Sequence, residues 1–314
     1  SCGSEGNNMA LLGAALTRKF GKGIVVSGFE HPSVQKPLER LAAMGYDVTV
    51  VAPRPDGTLD IDEMLSHVDK NTILVACMMV NNEIGTRNEV ERLAAEVKRR
   101  NSRTLVHVDA VQAWMRVPIQ LANIDTLAVS GHKIHGPKGS GFLYIDEKVK
   151  IRPLILGGGQ QNGMRSGTDN VPGIAGLGVA AKMMYQNFDE KVEHLYQLKE
   201  RMAEGLSKID DVVINGMPVR EGAPHILSVS FLGIRSEVLL HTLEDRNIYV
   251  SAGSACSSHK RKPSATLSAM GMSNAQIENT VRISFSEENT FEEVDYCLEV
   301  LNEVLPMLKR YARR

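Results

Sequence analysis

The stretch "TILVACMMVNNEIGTRNEVERLAAEVKRRNSRTLVHVDA", residues 72–110, holds two nearly unbroken apolar runs with a helix pattern between them. Strands this apolar are covered on both faces, and a helix between two of them makes a parallel crossover. The alternation extends both ways. "GIVVSGF" (23–29), "DVTVVAP" (47–53), "TLAVSG" (126–131) and "SGFLYI" (140–145) also read as strands. "HPSVQKPLERLAAMG" (31–45) and "LDIDEMLSHV" (59–68) read as helices. The fold class is α/β, with a mainly parallel sheet between helices.

Beyond residue 170 the pattern changes. Residues 172–209 read as one long helix, with Met184, Phe188, Val192, Leu195, Leu198, Met202, Leu206 and Ile209 along one face. Strands are predicted at 225–232, 248–252 and 281–286, and helices at 236–246, 263–270 and 290–310. Thr290 and Glu293 make a capping-box pattern at the start of the last helix. The expected division is a large α/β domain over 1–180, then a linking helix and a smaller α+β domain over 181–314.

Bulk properties narrow the function classes. A net charge of −1 supplies no global field to recruit nucleic acid or an anionic membrane. No apolar run approaches the ~20 residues of a membrane span. Cys2, Cys77, Cys256 and Cys297 form no C-x-x-C pair, so zinc and dithiol readings fail and a reducing cytoplasm is expected.

In parallel sheets, ligands bind beyond the carboxyl ends of the strands. Here those ends carry His31, then Asn81-Asn82-Glu83, then Asp109 with Gln112, then Ser130-Gly131-His132-Lys133. Singly, each has a plain structural reading. Asp109 suits a helix N-cap, Lys133 a solvated surface, His31 a loop before Pro32, and His132 a strand end. Four strand ends carrying an acid, a lysine and two imidazoles to one rim read as a site.

Nucleotide motifs fail at this rim. "GHKIHGPKG" has Pro137 where a phosphate loop needs lysine, and "GGGQQNGMRSGT" has Asn162 where the dinucleotide motif needs its last glycine. A lysine near an acid suits pyridoxal 5′-phosphate: the lysine forms a Schiff base and the acid keeps the ring nitrogen protonated. The phosphate needs backbone N–H groups at a helix start. The Gly/Ser turn around Gly3 and Ser4, which runs into a helix, offers them.

"GSEGNN", "EHPSV", "MMVNNEIG", "VDAVQ", "SGHKIHGPKGSG", "GGGQQNGMRSGT" and "GSACSS" follow one another along the chain. In these motifs, from Ser1 to about Thr290, the chain resembles the cysteine desulfurases of the NifS/IscS type. These are pyridoxal-phosphate-dependent enzymes of the class V aminotransferase-like group, with the fold-type I transferase architecture. The resemblance implies that Lys133 is the Schiff-base lysine and Asp109 the partner of the pyridine nitrogen. His31 would stack on the ring and move protons, with Gln112 and Asn82 around the ring hydroxyl and the substrate. Ser4, Ser130, His132 and the backbone of Gly3 would bind phosphate. Thr168 would reach the cofactor of a second subunit, which implies a homodimer. Arg282 would hold the carboxylate of L-cysteine. Cys256 would take the substrate's sulfur as a persulfide, release alanine and pass the sulfur to an acceptor protein. That acceptor would serve iron–sulfur cluster assembly or tRNA thiolation.

Cys256 stands in "SACSSHKRKP" (254–263), among small polar residues and before a basic run, where a packed structural cysteine is not expected. The run His259–Lys262 reads either as a solvated face or as a docking patch for an acidic acceptor. Two features depart from the family pattern. Glu287 and Glu288 follow the predicted Arg282 strand where a glycine is usual, and are expected to face solvent. Relatives also carry several dozen residues before the "GSEGNN" turn, so a truncated chain is expected. Two other readings stay open: a different class V enzyme that needs no Cys256, and a non-catalytic binding or scaffold subunit.

Overall fold

The computed structural model describes residues 1–252 and 263–312. These form two compact units, one of residues 1–52, 59–80 and 88–188, the other of 53–58, 81–87 and the described residues from 189 onward.

The first unit carries a six-stranded sheet in the order β2-β1-β3-β4-β5-β6. The strands are β1 (Gly23–Ser27), β2 (Asp47–Val51), β3 (Thr72–Met78), β4 (Leu105–Asp109), β5 (Thr126–Ser130) and β6 (Gly141–Ile145). β1 to β5 run parallel, and β6 returns antiparallel to β5. Every residue of β3, β4 and β5 is buried, as their apolar composition requires. Helix α1 (Gly3–Ala15) packs on β4, β5, β6 and on α2 (Pro32–Ala43). Met9, Leu12, Val34, Leu38 and Leu41 of these helices share a core with Ile24, Val26, Leu74, Ala76 and Leu105. Helices α3 (Ile61–Ser66) and α4 (Val90–Arg100) pack together, and α4 lies on β3 and β4. The unit continues through α5 (Val171–Tyr185).

The single long helix expected over 172–209 is two. α5 ends at Tyr185 and α6 (Phe188–Leu206) begins beyond Asn187, whose φ of 55° breaks the helix. The apolar positions divide accordingly. Met184 joins Ile134 and Leu177, whereas Leu195, Leu198, Met202 and Leu206 enter the core of the second unit.

That second core lies between α6, an antiparallel sheet and α10 (Phe291–Ala312). The sheet order is β7-β8-β10-β9, with β7 (Val212–Asn215), β8 (Ile226–Phe231), β9 (Ser251–Ala252) and β10 (Thr280–Ser284). Three short helices complete it: α7 (Ser236–Glu244), α8 (Ala265–Ala269) and α9 (Asn274–Glu278). β7 and α9 are too short to leave a periodic signal in the sequence. The capping box forms, with Thr290 N–H donating to Glu293 Oε2 at 3.0 Å and Glu293 N–H to Thr290 Oγ1 at 3.3 Å. Of the two acids after β10, Glu288 is exposed, but Glu287 is half-buried with carboxylate oxygen Oε2 out of solvent. The expectation that both face solvent holds for Glu288 only. Glu287 follows Phe285, which is buried in the core, and the chain turns into α10 within four residues.

Candidate active site

Asp109 ends β4 and is 4 % exposed. Its carboxylate accepts from Val111 N–H at 2.9 Å and from the Asn7 side-chain amide at 2.7 Å. Burial raises its pKa; those two donors, then His31 when its ring is protonated and the Lys133 ammonium, oppose the rise. The donors and charges limit the rise that burial imposes, and the net shift stays upward.

Asn7 reaches Asp109 because α1 approaches the sheet closely. A Cβ at Gly6 would lie 3.1 Å from Ala128 Cβ, and one at Gly3 would lie 2.4 Å from Val111 Cγ2. Glycine therefore lets the first turn of α1 sit against the turn after β4 and against β5. The N-cap residue, Cys2, contributes no side-chain cap. The helix start, with its unpaired N–H groups, is thus brought beside Val111 and Ser130.

His31 caps α2. Its Nδ1 accepts from Ser33 N–H at 3.1 Å and lies 2.8 Å from Ser33 Oγ. Ser33 Oγ in turn lies 2.9 Å from Asn7 Nδ2. Lys133 sits in a 3₁₀ turn, Gly131–Ile134, directly after β5. Buried Ser130 pairs with His132 Nδ1 at 2.8 Å. Partial burial, then Lys133 and Lys138, lower the His132 pKa, which favours the neutral ring.

The first unit thus gathers Gly3, Ser130, His132, Lys133, Asp109 and His31 at one end of its sheet, with Gln112 in the turn after Asp109. Ser4 is on the exposed side of α1's first turn. Thr168 lines a hollow whose walls include neither Asp109 nor Lys133. The hollow measures about 710 Å³ and is also lined by Cys2, Glu5, Trp114, Phe142 and Arg165. There Arg165 Nε donates to Glu5 at 2.9 Å and holds its carboxyl down to about 2.

Asn82 and Arg282 belong to the second unit. Arg282 Nη1 donates to the Asn82 carbonyl at 2.7 Å. Arg282 lies on β10, opposite Ser251 of β9 and Ser228 of β8. Cys256 and the basic run His259–Lys262 fall outside the described residues. Among the described residues no cluster of His, Cys, Asp and Glu could hold a metal ion.

Sequence reasoning assigned no role to Asn7, Ser33, His107 or Glu30. His107 stands two residues before Asp109, on the same face of β4, and strand period alone points to it. Its Nε2 lies 3.0 Å from Asn7 Oδ1, and burial pushes its pKa down to about 3. Glu30, beside His31 in the chain, is buried, accepts from Ser27 Oγ and from Met78 N–H (2.6 Å), and is pushed up to about 8 by burial.

The description of the aminotransferase class-V family matches residues 1–297. The chain belongs to that family. Within it, its relatives are cysteine desulfurases of the NifS/IscS kind. It is 40% identical to the cysteine desulfurase IscS of Methanosarcina thermophila, over 98% of this chain and 76% of the relative. It is 38% identical to a cysteine desulfurase of Nostoc sp., over 98% of this chain and 77% of the relative. A solved NifS-like protein superposes with a TM-score of 0.90 at 38% identity, over 98% of this chain and 82% of that one. The apo cysteine desulfurase of Thermococcus onnurineus gives 0.87 at 27% identity, over 98% and 78%. The α/β fold with a mainly parallel sheet is therefore the class V, fold-type I architecture.

Proposed function

We propose that the protein is a pyridoxal-phosphate-dependent cysteine desulfurase that converts L-cysteine to L-alanine and carries the sulfur as a persulfide on Cys256. The observation that carries the reading is the pairing at the sheet's end. Adjacent parallel strands deliver a buried, doubly hydrogen-bonded acid, Asp109, and an amine, Lys133, close enough for the amine's charge to act on the acid.

The donor set suits the cofactor. Asp109 would accept from the ring N–H, and Lys133 Nζ would anchor the cofactor. The close-packed start of α1 at Gly3, with Ser4, Ser130 and His132, would receive the phosphate. When bound, pyridoxal phosphate supplies an electron sink for the substrate carbon that bears the amine.

The chain's own groups do the rest. Arg282 holds the carboxylate of cysteine through its planar fork, with Asn82 and Gln112 orienting the substrate. Lys133 Nζ takes the proton from the α carbon, and His31, held in place by Ser33, moves a second proton. The Cys256 thiolate attacks the substrate's sulfur. An S–S bond forms and the C–S bond breaks, its electron pair staying with carbon, which is protonated and leaves as alanine. A thiol of pKa ~8.5 is only about a tenth ionised near pH 7.5, so the thiolate needs help from His31 or nearby charge.

Thr168 is proposed to serve the cofactor of a second copy, which makes the enzyme a homodimer. The persulfide passes to an acceptor protein of iron–sulfur assembly or tRNA thiolation, in a reducing cytoplasm. Among the described residues no helix is long and apolar enough to cross a membrane.

The visible spectrum of the protein with pyridoxal phosphate, before and after cysteine, tests this. A band that borohydride fixes to Lys133, and that changes with cysteine, is expected. Cys256→Ser should abolish sulfur release. Retained release would point to a different class V reaction, and no band at all to a non-catalytic subunit.

A further inference from the structure

Asn7 is fully buried and its amide has three polar side-chain neighbours. Nδ2 lies 2.7 Å from Asp109 Oδ2 and 2.9 Å from Ser33 Oγ, and Oδ1 lies 3.0 Å from His107 Nε2. At 2.7 Å from Asp109 Oδ2 the amide nitrogen donates to the carboxylate, whose other oxygen accepts from Val111 N–H; the flipped amide would set oxygen against oxygen. Oδ1 then faces His107, whose Nε2 must carry the ring hydrogen. Burial favours the neutral ring of His107, with one ring hydrogen to give; placed on Nε2, it leaves Nδ1 to accept from Thr126 Oγ1, 2.9 Å away. The second amide hydrogen goes to Ser33 Oγ. That leaves the Ser33 hydroxyl hydrogen for His31 Nδ1 at 2.8 Å. The donors therefore run in one order, Thr126 to His107 to Asn7, where the line branches to Asp109 and, through Ser33, to His31.

We propose that Asn7 is a positioning residue that sets Asp109 and His31 together, and that His107 decides which way its amide faces. The inference rests on the proposed function, in which Asp109 and His31 face pyridoxal phosphate. Asn7 acts only through them. A mere space-filling role would be indifferent to the direction of the amide, whereas this one depends on it.

The test uses the full chain with its histidines labelled with ¹⁵N, and pyridoxal phosphate itself as the probe. In the wild type, His107 is expected as the Nε2–H tautomer, without titrating between about pH 5 and pH 8. In Asn7→Ala the ring should turn to the Nδ1–H form, facing Thr126 Oγ1. Pyridoxal phosphate should bind about ten- to a hundred-fold more weakly, the loss of one hydrogen bond to a charged group. His107→Gln, which keeps a donor toward Oδ1, should stay near wild-type affinity, and His107→Leu should follow Asn7→Ala. Unchanged affinity in Asn7→Ala overturns the inference. An Nδ1–H ring at His107 in the wild type does so too, and this decides the matter even if Asn7→Ala does not fold. A wild type with the Nε2–H ring that takes up no pyridoxal phosphate overturns the proposed function while leaving the hydrogen-bond order standing, so the two failures are distinguishable.

Discussion

Arg282 donates to the carbonyl oxygen of Asn82 at 2.7 Å, joining positions 200 residues apart within one unit. One prong of the guanidinium is thereby committed to backbone, which fixes the direction of the rest. Arg282→Lys keeps a charge and can keep the carbonyl bond, but it loses the planar fork. It should lower kcat/KM for cysteine about ten- to a hundred-fold, chiefly through KM, as read from alanine release at varied cysteine.

Gly3 tests the close approach of α1. Gly3→Ala would set a methyl 2.4 Å from Val111 Cγ2. It should cost about 1–3 kcal/mol of stability in urea titrations and weaken pyridoxal phosphate binding. Because the obstruction is one side-chain methyl, Val111→Ala in the same chain should restore much of both.

Glu30 gives a pH dependence of known sign. Its pKa rises from the ordinary 4.5 to about 8, chiefly through burial. Between those values the folded state binds a proton that the unfolded state has lost, so stability falls as pH rises from about 4.5 to about 8. Its Oε2 has no hydrogen-bond partner among the described residues, while Oε1 accepts from Ser27 and Met78. Glu30→Gln keeps an acceptor for both donors and cannot ionise. Its Tm should fall less than the wild type's between pH 6 and pH 9, the gap reaching a few degrees, about 2–4 °C per kcal/mol.

The basic run after Cys256 is tested by kinetics. Lys260→Glu combined with Lys262→Glu should slow sulfur transfer to an acidic acceptor about tenfold or more while leaving alanine formation with a small-molecule reductant unchanged. An equal fall in both rates would assign these residues to the chemistry instead of docking.

Much of this architecture is legible locally. The apolar runs at 72–80 and 104–110 are buried strands, and the polar residues that end them lie at the sheet's carboxyl end. Asp109 and Lys133 stand out because each lies at or just past the end of a strand. Asn7 does not stand out. Nothing near it in sequence explains an amide with no solvent exposure, since its partners His107 and Asp109 lie 100 and 102 residues away. Apolar periodicity likewise continues through Asn187, where only the backbone conformation breaks the helix.

The amino-acid sequence by itself determined the alternating strands and helices, the lysine and acid at successive strand ends, and the lone cysteine in its polar setting. These are properties of neighbouring residues, written in the periods of helix and strand and in the polar residues at each strand's end. Only the tertiary structure decided that Asn82 is grouped with Arg282, that α1 presses its glycines against Val111 and Ala128, and that His107, Asn7 and Asp109 form one hydrogen-bonded line. The physical reason is that a buried polar group must find its partner wherever packing brings one, and packing joins residues without regard to their distance along the chain.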